Sequence, residues 1–100
     1  MDEQISQLRS LRNRIAAYSQ TLAERELTGR LLRLELETEK RAAGSTKTDA
    51  EKDAKADPRY LDHERRSIQI SFDRDVALAE AEALRFHLEL VVAERMASVA

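Results

Sequence analysis

The sequence predicts an all-α fold, a long antiparallel helical hairpin of coiled-coil type that dimerises into a helical bundle. The first observation behind this is periodicity. From residue 72 to 97, small and apolar residues fall at Phe72, Val76, Ala79, Ala83, Phe86, Leu90, Ala93 and Ala97. These steps of four and three make the seam of a helix lying along another helix. The second observation is a further apolar line beside it: Ala77, Ala81, Leu84, Leu88 and Val91. Asp73, Glu80, His87 and Glu94 separate the two lines. At about 100° per residue, the lines face different directions. One long partner helix covers one of them, and the chain supplies one such partner, so an oligomer is expected. The third observation is composition. Charged residues make up 36% and aromatics 4%, with two glycines and one proline. That balance suits long helices and excludes a β-sandwich or a Gly-rich nucleotide fold. A hydrophobic content of 42% in ordered heptads argues against disorder.

Residues 3–43 read as the first helix. Asp2 or Glu3 serves the positive end of its dipole, and Lys40 and Arg41 the negative end. Gly44 is the expected stop, where a left-handed residue is wanted. Its seam begins at Leu8, Leu11, Ile15, Tyr18 and Leu22, then meets Arg25 and Gly29, which do not suit a dry core. Leu27, Leu31 and Leu34 resume one strip over, with Leu32 and Leu36 alongside. Either the helix rolls near residues 23–29, or a second neighbour takes over there. Gly29 costs about 1 kcal/mol in mid-helix relative to Ala. It is either simply tolerated or allows a close approach or a kink.

Residues 44–57 form a connector without a large apolar side chain. Thr48 and Glu51 match a capping box, so the connector reads either as a short helix over 49–56 or as a mobile loop open to proteolysis. Asp57 and Pro58 then start a second long helix, 58–98, as N-cap and first helical residue. The two long helices, each roughly 60 Å, make one hairpin domain over residues 1–100. Arginines at 9, 12 and 14 near one end of the chain face Glu80, Glu82, Glu89 and Glu94 near the other in an antiparallel pairing. Exposed pairs contribute about 0–1 kcal/mol each, enough to select orientation.

Site chemistry is sparse. His63 and His87 lie about 36 Å apart on one helix and cannot share an intrachain site. Neither belongs to an E-x-x-H or H-E-x-x-H pattern. His87 reads as a structural histidine at the edge of a packed face. Asp73 and Asp75 point to different sides of a helix and make a poor acid–base pair. Ser45, Thr46 and Thr48 have no nearby base and read as capping hydroxyls. No enzyme activity, metal or cofactor is expected. There is no cysteine, no signal peptide and no apolar run of membrane-spanning length, so a cytoplasmic protein is expected.

Secreted helical hairpins whose turn carries Trp-x-Gly share this length and plan. The turn here is Ala43-Gly44-Ser45-Thr46, and the chain has no tryptophan. A second likeness covers more of the chain. The run Thr48-Asp-Ala-Glu-Lys-Asp-Ala-Lys-Ala-Asp-Pro-Arg-Tyr60, followed by a helix like Phe72-Asp-Arg-Asp-Val-Ala-Leu-Ala-Glu-Ala-Glu-Ala-Leu84, resembles small helical proteins encoded by temperate phages beside their recombination genes. The resemblance implies an accessory role around phage DNA metabolism or host defence. It brings no catalytic residues.

The functional expectation is a non-enzymatic protein-interaction module, partnered by a second copy of itself and by an unidentified protein. Its interface residues come from two faces. One carries Val76, Ala79, Ala83, Phe86 and Leu90; the other carries Ala77, Leu84, Leu88 and Val91. Which face is intrachain stays open, although the alanines favour close helix approach on the first. The alternative is a nucleic-acid-binding accessory protein using Arg9, Arg12 and Arg14. The net charge of −2 supplies no general attraction to nucleic acid or anionic membrane.

Overall fold

The computed structural model describes residues 1–99. It is all-helical, with α1 (Asp2–Ala42), α2 (Lys47–Ala56) and α3 (Pro58–Val99), and no strand among the described residues. Each junction has a physical cause. α1 ends in a double backbone closure. The Gly44 amide donates to the Arg41 carbonyl (3.0 Å) and the Ser45 amide to the Lys40 carbonyl (3.1 Å). Gly44 adopts φ 105°, the left-handed conformation this closure requires. Asp2 and Glu3 occupy the first turn of α1, and Lys40 and Arg41 the last, matching its dipole.

The cap of α2 differs from the sequence expectation. The N-cap is Thr46, not Thr48, and its side chain accepts from the Asp49 amide at 3.2 Å. Thr46 holds the extended backbone that an N-cap needs, whereas Thr48 already lies within the first helical turn. Ala50 and Ala54, one turn apart, are fully buried. With its buried face made only of methyl groups, α2 packs without any large apolar residue.

Asp57 joins α2 to α3. Its amide donates to the Ala54 carbonyl and closes α2. Its carbonyl accepts from Leu61, and its carboxylate accepts from the Arg59 amide at 2.9 Å, which opens α3. Pro58 stands at the first helical position, where no amide hydrogen is needed.

The chain packs as two compact units, with α1 and α3 contributing to both. One unit is residues Gln20–Ser71; the other combines Met1–Ser19 with α3 from Phe72 onward. Within the Gln20–Ser71 unit α1 and α3 run antiparallel: Arg25 reaches Ser67, and Glu39 reaches Arg59. Leu36 is its most deeply buried large side chain, at 2% exposure. Within the other unit the pairing is again antiparallel. Arg95 contacts the Met1 sulfur, and Arg14 sits in the field of Glu80.

Candidate interaction surface

In the unit containing both chain ends, the two apolar lines of α3 have different fates. Ala77 is buried, and Ala81, Leu84, Leu88 and Val91 are half-buried. Their counterparts on α1 are Leu11, which is buried, and Leu8, Ile15 and Tyr18, which are half-buried. A groove lined by Leu8, Ile15, Leu78 and Ala81 marks where the two helices meet. The line through Ala77, Leu84, Leu88 and Val91 is therefore the intrachain seam. The other line remains open to water. Phe72 is 61% exposed, Val76 42%, Phe86 62% and Leu90 46%. Ala79 and Ala83 are exposed with them. The close approach expected at the alanines of the first line occurs on the second, at Ala77.

Four exposed large apolar residues at seam spacing on one helix are more than scattered surface hydrophobics. Burying side chains of this kind stabilises a complex by about 1.5–3 kcal/mol each before ordering costs. The strip is bordered by two rows at seven-residue spacing. One row is Asp73, Glu80, His87 and Glu94; the other is Asp75, Glu82, Glu89 and Met96. Six of these eight positions are carboxylates and none is Lys or Arg. The arginines of this part of α3 stand behind the rows. Arg74 pairs with Asp75 at 3.7 Å and Arg85 with Glu89 at 3.6 Å. His87 is exposed on its border.

Arg9 and Arg12, one turn apart, share a face of α1, and Arg14 lies on another side. Arg12 lines the groove with Glu82 and Arg85 on one flank of the seam. Arg14 lines the opposite groove with Gln7, Ser10, Leu11 and Glu80. A side-chain hydrogen bond with Tyr18, reinforced by Glu80 and Asp73, holds the Arg14 guanidinium above its ordinary value. Arg9 is exposed and lies about 140° around the helix from Arg14.

In the Gln20–Ser71 unit, the polar positions on the α1 seam are filled rather than avoided. Arg25 donates through Nε to Ser67 Oγ and through a terminal nitrogen to the His63 carbonyl, both at 2.9 Å. Ser67 Oγ in turn donates to that carbonyl at 3.1 Å. Gly29 is buried because the His63 ring lies on it. A Cβ built at Gly29 would stand 3.0 Å from Cε1 of that ring. Both ring nitrogens are buried without a hydrogen-bond partner, and the Glu64 carboxylate lies 3.7 Å from Nδ1. The seam thus runs straight through Arg25 and Gly29 to Leu36, and α1 does not roll. Leu27, Leu31 and Leu34 stay exposed. The usable signal was that Arg25 and Gly29 continue the four-three spacing. His63, their partner on α3, had no marker of its own.

At the far end of this unit, the Asp57 carboxylate is buried and meets Arg59 and Lys40 Nζ, at 3.1 and 3.2 Å. Hydrogen bonds from the Arg59 side chain and amide, with help from Lys40, hold this carboxyl far below the usual Asp range. Arg59 is raised correspondingly by Asp57 and Glu39. These groups knit three helix ends together. No cluster of three or more His, Cys, Asp or Glu fit to hold a metal occurs among the described residues. No described helix is long and apolar enough to cross a membrane. No family model matches the chain, and neither a curated protein nor a solved structure matches it.

Proposed function

We propose that this chain is a non-enzymatic protein-interaction module whose working surface is the exposed strip of α3. The observation that carries this reading is the exposure of Phe72, Val76, Phe86 and Leu90 at seam spacing, on a helix whose other seam is already occupied. Covering the strip takes a further helix, from a second copy of the chain or from another protein. The resemblance over residues 48–60 and 72–84 supports a cytoplasmic accessory role beside phage recombination or host-defence machinery. The alternative, nucleic-acid binding through Arg9, Arg12 and Arg14, has less support. Arg9 and Arg12 share one face of α1, but Arg14 points away from them, engaged with Tyr18 and close to Glu80, so two arginines alone make a short track for phosphates.

A photoreactive residue at Ala83 tests the proposal in cells. The expected result is a covalent adduct, with a second copy or with another protein, that Phe86→Ser abolishes. A chain that gives no adduct at 83 and scatters light as a monomer would sink it.

A further inference from the structure

Resting on the interaction-module reading, we infer that the α3 strip receives an amphipathic helix of another protein bordered by Lys and Arg, and not the α3 helix of a second copy. The strip itself, Phe72, Val76, Ala79, Ala83, Phe86 and Leu90, specifies only an apolar occupant. Its two borders specify the charge. In a helix pair, the residues flanking the seam face the flanking residues of the partner, and their signs decide partner and orientation. Along this strip the flanks are Asp73, Glu80 and Glu94 on one side and Asp75, Glu82 and Glu89 on the other.

Pairing α3 with α3 of a second copy therefore sets carboxylates against carboxylates in either orientation. An antiparallel pair matches each border with itself, and a parallel pair matches one border with the other. The exceptions, His87 and Met96, do not change the sign of either border. Nor do Arg74 and Arg85, which pair with Asp75 and Glu89 from behind the rows, or Arg14 of α1, which lies in the field of Glu80 and Asp73: the six border acids outnumber these three arginines. The exposed apolar segments of α1 in a second copy fit no better. Between residues 4 and 19, the only exposed large apolar residue of α1 is Ile5. The leucine trio Leu27, Leu31 and Leu34 is bordered by Arg30 and Glu37 on one side and by Thr28 and Glu35 on the other, with Arg30 already held by Glu26 at 2.7 Å. A foreign helix with leucine-like residues at the seam and cations at its flanks satisfies both demands. Its charge complementarity also speeds encounter and makes it sensitive to salt.

The test uses the full chain and two synthetic helices of about three heptads. Both carry leucine at the seam; one has lysine at the flanks and the other glutamate. Fluorescence anisotropy should show the lysine-flanked helix binding at least about tenfold tighter at low salt, with the preference shrinking by about 0.5 M salt. The double substitution Glu82→Lys with Glu89→Lys, both exposed and so tolerated by the fold, should shrink or invert that preference. Phe86→Ser should weaken both helices, with circular dichroism unchanged. Equal binding of the two helices overturns the inference. So does self-association at neutral pH that Phe86→Ser abolishes, although the interaction-module reading then survives. Failure to bind either helix, in a chain that is also monomeric, removes both.

Discussion

At the scale of single residues, the polar layer of the Gln20–Ser71 unit shows how one missing side chain admits another. Gly29 gives up helix propensity so that the His63 ring can lie against the α1 backbone. Gly29→Ala in the native background is expected to lower the melting temperature, because the ring has little room to move. In a His63→Ala background, the same change should instead stabilise, by up to about 1 kcal/mol. Thermal melts of the four proteins in this cycle decide the matter, and destabilisation in both backgrounds would refute a steric cause. Asp57 makes a second residue-level prediction. Its folded-state carboxyl lies below its unfolded value, so the stability it contributes is complete above the ordinary Asp range, about 4. It drains away as the pH falls below that toward the folded value. Asp57→Asn should lower stability at neutral pH and flatten the acid limb of a stability–pH curve. An unchanged acid limb would count against the assignment.

At the scale of elements, the helical character of both long segments was legible because seam spacing, acidic first-turn residues in α1 and few Gly or Pro all agree. The α1 stop at Gly44 and the α3 start at Asp57-Pro58 were legible from scarce residue types, one of two glycines and the one proline. The start of α2 was not legible in detail. Thr46 and Thr48 both offer a hydroxyl, and only backbone conformation separates them. Thr46→Ala is therefore expected to cost about 1 kcal/mol and to speed amide exchange in α2, while Thr48→Ala leaves exchange there unchanged. The Arg25–His63–Ser67 layer was also hidden. A sequence shows that Arg25 falls on a seam, but not which carbonyl and hydroxyl of another helix will take its hydrogens.

At the scale of the whole molecule, a net charge of −2 conceals an uneven arrangement. Acids line both sides of an apolar strip on α3, whereas the arginines near the start of α1 are split, Arg9 and Arg12 on one face and Arg14 on another. That there would be more apolar surface than one partner helix can cover was legible from two lines on one helix. Which line the chain keeps for itself was not, because both have seam spacing and similar side chains. Packing decides it. The larger aliphatic residues Leu84, Leu88 and Val91 flank the intrachain groove with Ala77, and the two phenylalanines are left outside. If charge is distributed as described, the chain should show no salt-dependent binding to single- or double-stranded DNA at about 0.15 M salt in gel-shift or anisotropy assays. Tight binding lost on replacing Arg9, Arg12 and Arg14 together would revive the nucleic-acid reading.

The turn at Gly44 has a chemical corollary. A Cβ there would meet nothing within 4 Å, so the position is closed to ordinary side chains by backbone handedness alone. A mirror-image residue prefers that handedness. Chemical synthesis with D-alanine at position 44 should thus fill empty space without strain and remove conformations from the unfolded chain, stiffening the bend while L-alanine at the same atom count loosens it.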